Sequence, residues 1–182
     1  MRVKGTVLLA RLDFARSRGA EVLERLYAEV DPATREMLDT ALPTQWFPYE
    51  KLCELTLLLD RIAGKADLSL CEEMGRFACD ANVPRFLRAF IRLGSVEFFL
   101  KRAAAAWRAH YDMGSMEVVM LAPKKVRLRL IGIPVPCHAQ CLSVVGFVKR
   151  AAELAGNKTV TGGVTACRQL GAEVCELTGG WD

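Results

Sequence analysis

Apolar residues recur every three to four positions through the first part of the chain, the spacing of a helix that buries one face. Gly19 divides the first such stretch in two. Gly64 ends the clearest one, in which Leu52, Leu55 and Leu59 share the apolar face. The spacing predicts helices over residues 6–18, 19–30, 33–38, 49–63, 67–82, 84–93 and 95–110.

After residue 112 the pattern becomes an alternation of apolar and polar positions, which is typical of strands. Residues 116–120 and 126–130 alternate on either side of Ala122-Pro123-Lys124-Lys125, which predicts a hairpin. Residues 140–154 return to helical spacing, and 158–161 and 173–177 are short strand candidates. The order predicts an α+β fold with an N-terminal helical subdomain (1–112), followed by a mainly antiparallel sheet with one inserted helix (113–182). A chain of 182 residues is expected to form a single domain.

Composition and charge narrow the class of protein. The net charge of +4 comes from 25 basic and 21 acidic residues scattered along the chain, which argues against nucleic-acid binding. Residues 130–148 form an uncharged run long enough to suggest a membrane span, but Pro134 and Pro136 interrupt it, so a strand, a turn and a helix start are predicted there. No secretory signal is recognised at the N-terminus. We therefore predict a cytoplasmic protein, in which cysteines are mostly reduced.

Motifs of enzyme chemistry are missing from the sequence. It contains no phosphate-binding loop, no nucleophile elbow and no dinucleotide fingerprint. The two histidines, His110 and His138, leave little for acid–base chemistry. A non-catalytic protein is predicted.

Four of the seven cysteines lie between Cys137 and Cys175, with His138 beside the first. Such a group could bind a metal ion, carry out thiol chemistry or simply pack, and the residues alone leave these alternatives open. The remaining three, Cys53, Cys71 and Cys79, lie on or beside apolar helical faces and are interpreted as packing residues.

Two stretches carry a resemblance to known families. VKGTVLLARLDFARSRG, near the N-terminus, resembles the opening of heme nitric-oxide/oxygen-binding domains. CRQLGAEVCEL, with seven residues between its cysteines, is similar to the end of the vinyl-reductase-type (4-vinyl reductase) small-molecule-binding domain. Within that fold, the chain most resembles an uncharacterised bacterial paralogous family. The resemblance implies a domain that encloses a small ligand between its helices and its sheet.

The heme-binding branch implies an axial histidine near the middle of residues 98–108 and a Tyr-x-Ser-x-Arg motif within 126–134. The first place reads Ala103 to Ala106, with His110 more than a turn later, and the second contains neither the tyrosine nor the serine. On this basis no heme is expected.

The vinyl-reductase branch implies a structural zinc ion held by Cys141, Cys167, Cys175 and a carboxylate just before Cys167. Residues 162–166, GGVTA, offer no carboxylate, so Cys137 or His138 is the candidate fourth ligand, or there is none. Closed coordination would leave no water for the metal to activate.

The same resemblance implies a pocket for a small hydrophobic molecule; the alternative is that these side chains are simply core. The protein is predicted to be a sensory domain that passes a signal to a protein partner, with a homodimer expected. An interaction or scaffold protein without ligand is the second reading, and a heme-based gas sensor or an enzyme of tetrapyrrole metabolism is the third. The candidate ligand-binding residues are Trp46, Phe47, Phe99, Ala103, Trp107 and Tyr111.

Overall fold

A computed structural model describes residues 1–82 and 96–182, with side chains in the second range from residue 100 onward. The described residues form seven helices and six strands, and the α+β prediction is confirmed. The predicted helix over 84–93 lies outside them. The helices are α1 (Gly5–Ser17), α2 (Ala20–Glu29), α3 (Pro32–Thr40), α4 (Tyr49–Ala63), α5 (Ser69–Asn82), α6 (Val96–His110) and α7 (His138–Leu154). The strands are β1 (Arg2–Lys4), β2 (Trp46–Pro48), β3 (Ser115–Ala122), β4 (Lys125–Ile131), β5 (Val160–Ala166) and β6 (Cys175–Trp181).

Local sequence signals account for several helix ends. Asp31 caps α3, because its carboxylate accepts a hydrogen bond from the backbone N–H of Thr34 at 2.9 Å, and Pro32 occupies the first helical position. Gly19 separates α1 from α2 with a φ of 111°, a conformation that residues with a Cβ rarely adopt.

The main sheet is antiparallel throughout, in the order β3-β4-β6-β5. The hairpin predicted around residues 122–125 joins β3 to β4. Strand β6, the last in the chain, lies in the interior of the sheet between β4 and β5. Both β5 and β6 extend beyond the predicted strand candidates, because pairing carries them through glycines that are poor strand formers, such as Gly162 and Gly179.

A second, two-stranded sheet lies at the N-terminus, where β1 pairs with β2 through Val3 and Phe47. No strand was predicted between the helices over 33–38 and 49–63, so this pairing was missed. Three-residue strands are too short to show an alternating pattern.

Helices α5 and α7 pack closely where glycines face the opposite backbone. A Cβ on Gly75 would overlap the carbonyl oxygen of Ser143, and a Cβ on Gly146 would overlap that of Glu72. Ion pairs bridge the same two helices, including Lys149 Nζ to Glu72 Oε1 at 2.9 Å and one between Arg76 and Glu153. The contact holds α7 between the helical half of the molecule and the sheet.

Among the helices in the described ranges, none combines the length and the apolar character that a membrane crossing needs. The uncharged run over 130–148 divides between the end of β4, a turn and the first part of α7, as predicted.

Candidate functional site

Three cysteines that are distant in sequence meet where α7 begins. Cys141 lies in the first turns of α7, Cys167 follows β5, and Cys175 opens β6. Their sulfur atoms all lie within 4.8 Å of one another, with 4.0 Å between those of Cys167 and Cys175, and all three residues are buried. We call this group the terminal thiol cluster.

A short turn brings Cys167 and Cys175 together. One turn of 3₁₀ helix (Arg168–Leu170) follows Cys167, and Gly171 reverses the chain with a φ of 94°. The backbone N–H of Arg168 donates to Sγ of Cys175 at 3.4 Å, and the Gln169 side chain accepts from the backbone N–H of His138 at 2.5 Å. The turn therefore also caps α7, which fixes Cys141 relative to the other two thiols.

Burial raises the pKa of the thiols of Cys141 and Cys167. The nearby cysteine thiols act in the same direction on Cys141, because a second negative charge next to the first is unfavourable. The thiols of Cys141 and Cys167 are therefore neutral at pH 7 when no cation is bound.

Cys137, the candidate fourth ligand, is not one of the three cysteines of the terminal thiol cluster. It occupies the N-cap of α7 with an extended backbone (φ −135°, ψ 111°), whereas Cys141 lies inside the helix. The other candidate for a fourth ligand, His138, is also absent from the group, and its Nδ1 is buried without a partner.

The neighbours of Cys137 are Cys53 on α4 and the buried Arg11 on α1. The Cys53 thiol beside it is the main reason why the pKa of Cys137 is lowered, to about 7. The backbone N–H groups of Gln140 and Ala139 and the charge of Arg11 act in the same direction, and together they outweigh burial. The pKa of Cys53 is raised, by the same contact and by burial. We call Arg11, Cys53 and Cys137 the Arg11 site.

Arg11 was missed by sequence reasoning although it is one of the most deeply buried side chains, with 1% of its surface exposed. Its Nε donates to Oγ1 of Thr56 at 2.9 Å, and its Nη2 donates to Oε1 of Gln140 at 3.1 Å and to Oγ of Ser143 at 2.6 Å. Gln140 in turn donates through Nε2 to the hydroxyl of Tyr111 at 2.9 Å. The available signal was a single arginine on an otherwise apolar stretch, VLLARLDF.

The predicted ligand-binding residues do not all come together. The rings of Trp107 and Tyr111 stack at 4.0 Å between centroids, and Tyr49 meets Tyr111 edge to face at 6.3 Å. Ala103 and Phe47 are buried in the same core. Trp46 is half-buried, with the ammonium of Lys4 over its ring at 4.3 Å, and thus stands apart from this group. The side chain of Phe99 is not among those that the structure describes.

A cavity of about 30 Å³ lies between α6, α7 and the sheet. It is lined mostly by apolar residues, including Leu100, Leu128, Val145, Ala152, Leu177 and Trp181. The volume exceeds the roughly 10–15 Å³ that one water molecule requires, but it is far from that of a drug-sized ligand.

No family model matches the chain, and no curated protein matches it. Solved structures do. Over 98% of this chain and 99% of the other, it is similar to an H-NOX protein of S. oneidensis in the Fe(II)NO ligation state, with a TM-score of 0.74 and 14% identity. The Fe(II)CO state of the Shewanella oneidensis SO2144 H-NOX domain matches with a TM-score of 0.71 at 14% identity, covering 98% of each chain.

An oxygen-binding H-NOX domain related to soluble guanylate cyclases, in its oxygen complex, matches with a TM-score of 0.69 at 8% identity, covering 98% of this chain and 95% of the other. These identities are low, so the likeness establishes the fold. It extends over the whole chain, including both the helical half and the sheet.

The cofactor prediction, a zinc ion and no heme, is wrong on this comparison. Two structures that share the fold were solved in Fe(II)NO and Fe(II)CO ligation states and a third as an oxygen complex, so missing motifs do not exclude heme from a chain of this architecture. None of these comparisons supports zinc.

The residues on α6 give a separate test of how a heme could be held. The described inner face of this helix presents Leu100, Ala103 and Trp107, none of which is an iron ligand. His110 lies at the last position of α6, half-exposed, with Nδ1 at 2.8 Å from the carbonyl oxygen of Ala106. Axial ligation by a histidine from the middle of α6 does not fit these residues. The chain has the fold of the H-NOX domains.

Proposed function

We propose that this protein is a sensory domain that binds a small ligand within the H-NOX fold. The observation that carries the proposal is the whole-length likeness to chains solved in nitric oxide, carbon monoxide and oxygen complexes. A gas carried on heme is the first ligand to test, and a small apolar molecule is the second.

The interior offers a way for a ligand to be sensed. Arg11 on α1 connects Thr56 on α4 to Gln140 on α7, and Gln140 continues to Tyr111 after α6. These groups are buried, and a buried polar group that loses its partner costs about 1–3 kcal/mol. A ligand that displaced Tyr111 would therefore break its hydrogen bond with Gln140 and change how the helical half packs against the sheet.

Further parts of the proposal concern catalysis, cellular location, oligomeric state and partners. We propose that the domain is non-catalytic, acts in the cytoplasm as a homodimer, and passes its signal to a protein partner. The spacing of Cys167 and Cys175 supports a closer relation to the vinyl-reductase-type domains within the same fold. Light scattering of the purified protein tests the homodimer directly.

Heme titration tests the central proposal. Reduced protein is titrated with ferrous heme and then with carbon monoxide, and the expected result is a saturable Soret band that carbon monoxide shifts. Tyr111→Phe and His110→Ala are compared with the wild type, because each removes one polar group near the end of α6. Loss of the band in one variant identifies the residue that supports the iron.

Native mass spectrometry of the same preparation covers the second ligand class, since it reports a retained apolar molecule. A protein that is folded by circular dichroism, yet binds neither heme nor an apolar probe, would contradict the proposal. The second reading, an interaction module whose interior is filled by its own side chains, would then stand. The stacking of Trp107 on Tyr111 is the observation that favours it.

A further inference from the structure

Arg11 is a buried cation that forms no ion pair with a carboxylate of the described residues. Only 1% of its surface is exposed, and a guanidinium remains charged in proteins even where burial lowers its pKa. Its hydrogen-bond acceptors are the hydroxyl groups of Thr56 and Ser143 and the side-chain amide of Gln140, all of which are neutral. A buried charge without a counter-charge is strongly unfavourable, so an anion is expected beside this guanidinium.

Two of these acceptors are fixed in orientation by a second hydrogen bond. The Thr56 hydroxyl donates its own proton to the carbonyl oxygen of Leu52 at 2.7 Å, which leaves its oxygen to accept from Arg11. Gln140 donates through Nε2 to the hydroxyl of Tyr111 at 2.9 Å, so its amide oxygen is the group that faces Arg11. The guanidinium is therefore held in one place by neutral partners that belong to the fold.

The hydrogen-bond donors of Arg11 that remain free are both on one nitrogen. Its Nε donates to Thr56 at 2.9 Å, and its Nη2 donates to Gln140 at 3.1 Å and to Ser143 at 2.6 Å. Nη1 is buried, and no group in the described part of the chain accepts from it. Arginine binds a carboxylate or a phosphate in a bidentate manner through two neighbouring nitrogens. That geometry is not available here, because the other two nitrogens already have partners.

The buried carboxylate nearest in type to a counter-charge, Asp60, is used elsewhere. Its two oxygen atoms accept from the backbone N–H groups of Leu68 and Leu70 at 2.8 and 3.0 Å. These bonds hold the start of α5. Among the residues that the structure describes, no other aspartate or glutamate is fully buried.

The titratable neighbours of Arg11 are a tyrosine and three cysteines: Tyr111, Cys71, Cys53 and Cys137. Burial raises the pKa of Tyr111 and of Cys71 to about 12, and the pKa of Cys53 is raised by Cys137 and by burial, so these three are neutral at pH 7. The pKa of Cys137 is lowered to about 7, chiefly by the Cys53 thiol. Its thiolate is therefore a rival counter-charge above pH 7, whereas at pH 6 this sulfur is neutral as well.

We propose that Arg11 binds a chloride ion through the N–H groups of Nη1, and that this ion is a counter-charge inside the fold. A halide is spherical, so it can be held from a single nitrogen. Its single charge matches that of Arg11, the one fully buried cation among the described residues, whereas a phosphate or a sulfate would carry a second charge.

A chloride ion at this position would strengthen the contact between three helices. Arg11 lies on α1, Thr56 on α4, and Gln140 and Ser143 on α7, which packs on the sheet. The inference adds a second ligand to the proposed sensory domain. It does not depend on heme or on an apolar molecule, so a failed heme titration would leave it intact.

Thermal unfolding of the full chain tests the site. Chloride replaces gluconate, an anion too large to be enclosed, at constant ionic strength and at pH 6, where Cys137 is protonated. Above the dissociation constant, each tenfold rise in chloride should multiply the ratio of folded to unfolded protein by about ten and raise the midpoint by about 3–5 °C. Arg11→Gln should lose this response. Arg16→Gln, an exposed position on the same helix, is the matched control and should keep it.

Two further comparisons separate the rival explanations. Cys137→Ser removes the sulfur that could act as an internal counter-charge, and the response to chloride should persist. Sodium formate should stabilise the wild type less than sodium chloride does, because a carboxylate is bound best by two nitrogens. An equal response in wild type and Arg11→Gln, or its loss in Cys137→Ser, would overturn the proposal. Formate that is as effective as chloride would overturn the assignment to a halide.

Bromide locates the ion in the wild type, so the proposal stays testable even if Arg11→Gln does not fold. Crystals grown in sodium bromide are expected to show an anomalous difference peak within hydrogen-bond distance of Nη1 of Arg11. A water molecule at Nη1, with bromide confined to the protein surface, would indicate an adventitious ion only and would overturn the proposal.

Discussion

Two groups of buried cysteines lie at the two ends of the same first turn of α7, and they differ in charge rather than in burial. In the terminal thiol cluster the nearest groups are other thiols, and the pKa values of Cys141 and Cys167 rise. At the Arg11 site the thiol of Cys53, then the backbone N–H groups at the start of α7 and the guanidinium of Arg11, lower the pKa of Cys137 against the effect of burial. The comparison shows that burial alone does not decide the pKa of a cysteine, because hydrogen bonds to the sulfur, helped by a nearby positive charge, can outweigh the effect of burial.

The largest expected effect comes from filling the space between α5 and α7. Gly75→Ala would press a methyl group into the carbonyl of Ser143, whose hydroxyl accepts from Arg11, so the Arg11 site should be disturbed first. We expect a loss of about 4 kcal/mol in the free energy of unfolding, measured with urea.

Gly163→Ala is the matched control for that substitution. Gly163 lies on β5, where an added Cβ would meet open space. It should change stability by less than about 0.5 kcal/mol. Equal losses for the two variants would show that the contact between α5 and α7 is not what holds the site.

Removing the cation at the Arg11 site has the next largest effect. Arg11→Met should cost about 3 kcal/mol at pH 8, because it leaves the thiolate of Cys137 buried without its partner. The cost should shrink at pH 6, where Cys137 is protonated and the guanidinium itself is the unpaired charge. A cost that is independent of pH would mean that the two groups do not act as a pair. Urea unfolding at the two pH values provides the measurement.

The pH dependence of stability separates the two groups of cysteines. The pKa of Cys137 is depressed from an ordinary value of 9.0 to about 7, so its contribution is present above 9.0 and is lost as the pH falls through 7. Between pH 7 and 9 the wild type should gain about 2–3 kcal/mol over Cys137→Ser. For Cys141 and Cys167, whose pKa values are raised, the sign is opposite, and their contribution is lost as the pH rises above 9.0. Parallel stability curves for Cys137→Ser and Cys167→Ser would contradict this difference.

The smallest effect is expected from a single truncation in the terminal thiol cluster. Cys167→Ala removes one buried sulfur and leaves the hydrogen-bonded turn around Gln169 intact, so a loss of about 1 kcal/mol is expected from lost packing. Thermal unfolding measured by circular dichroism suffices. Cys79→Ala, on α5, serves as a buried comparison away from the turn. A much greater loss for Cys167→Ala than for Cys79→Ala would show that the cluster does more than pack.

Much of the fold was predictable because its elements carry local signals. The apolar spacing in α4 and the glycine after it, the proline that opens α3 and the turn residues between β3 and β4 each act through neighbours in the chain. The two-stranded sheet of β1 and β2 had no such signal. The ends of β5 and β6 were not predicted because they contain glycines, which are poor strand formers and are strands here because they pair with a neighbouring strand. The prediction of no heme rested on short motifs, whereas the likeness that contradicts it extends over the whole fold.

The sequence by itself determined the helical half, the sheet half and the presence of cysteines at the start of α7 and around the last two strands, because periodicity and turn chemistry are properties of adjacent residues. Which cysteines meet was decided by tertiary structure alone. Cys137 and Cys141 are close in the chain, yet one faces Arg11 and Cys53 while the other faces Cys167 and Cys175. The surroundings of the side chain at this N-cap depend on Arg11 and Cys53, which are far from it in the chain, so spacing could not reveal them.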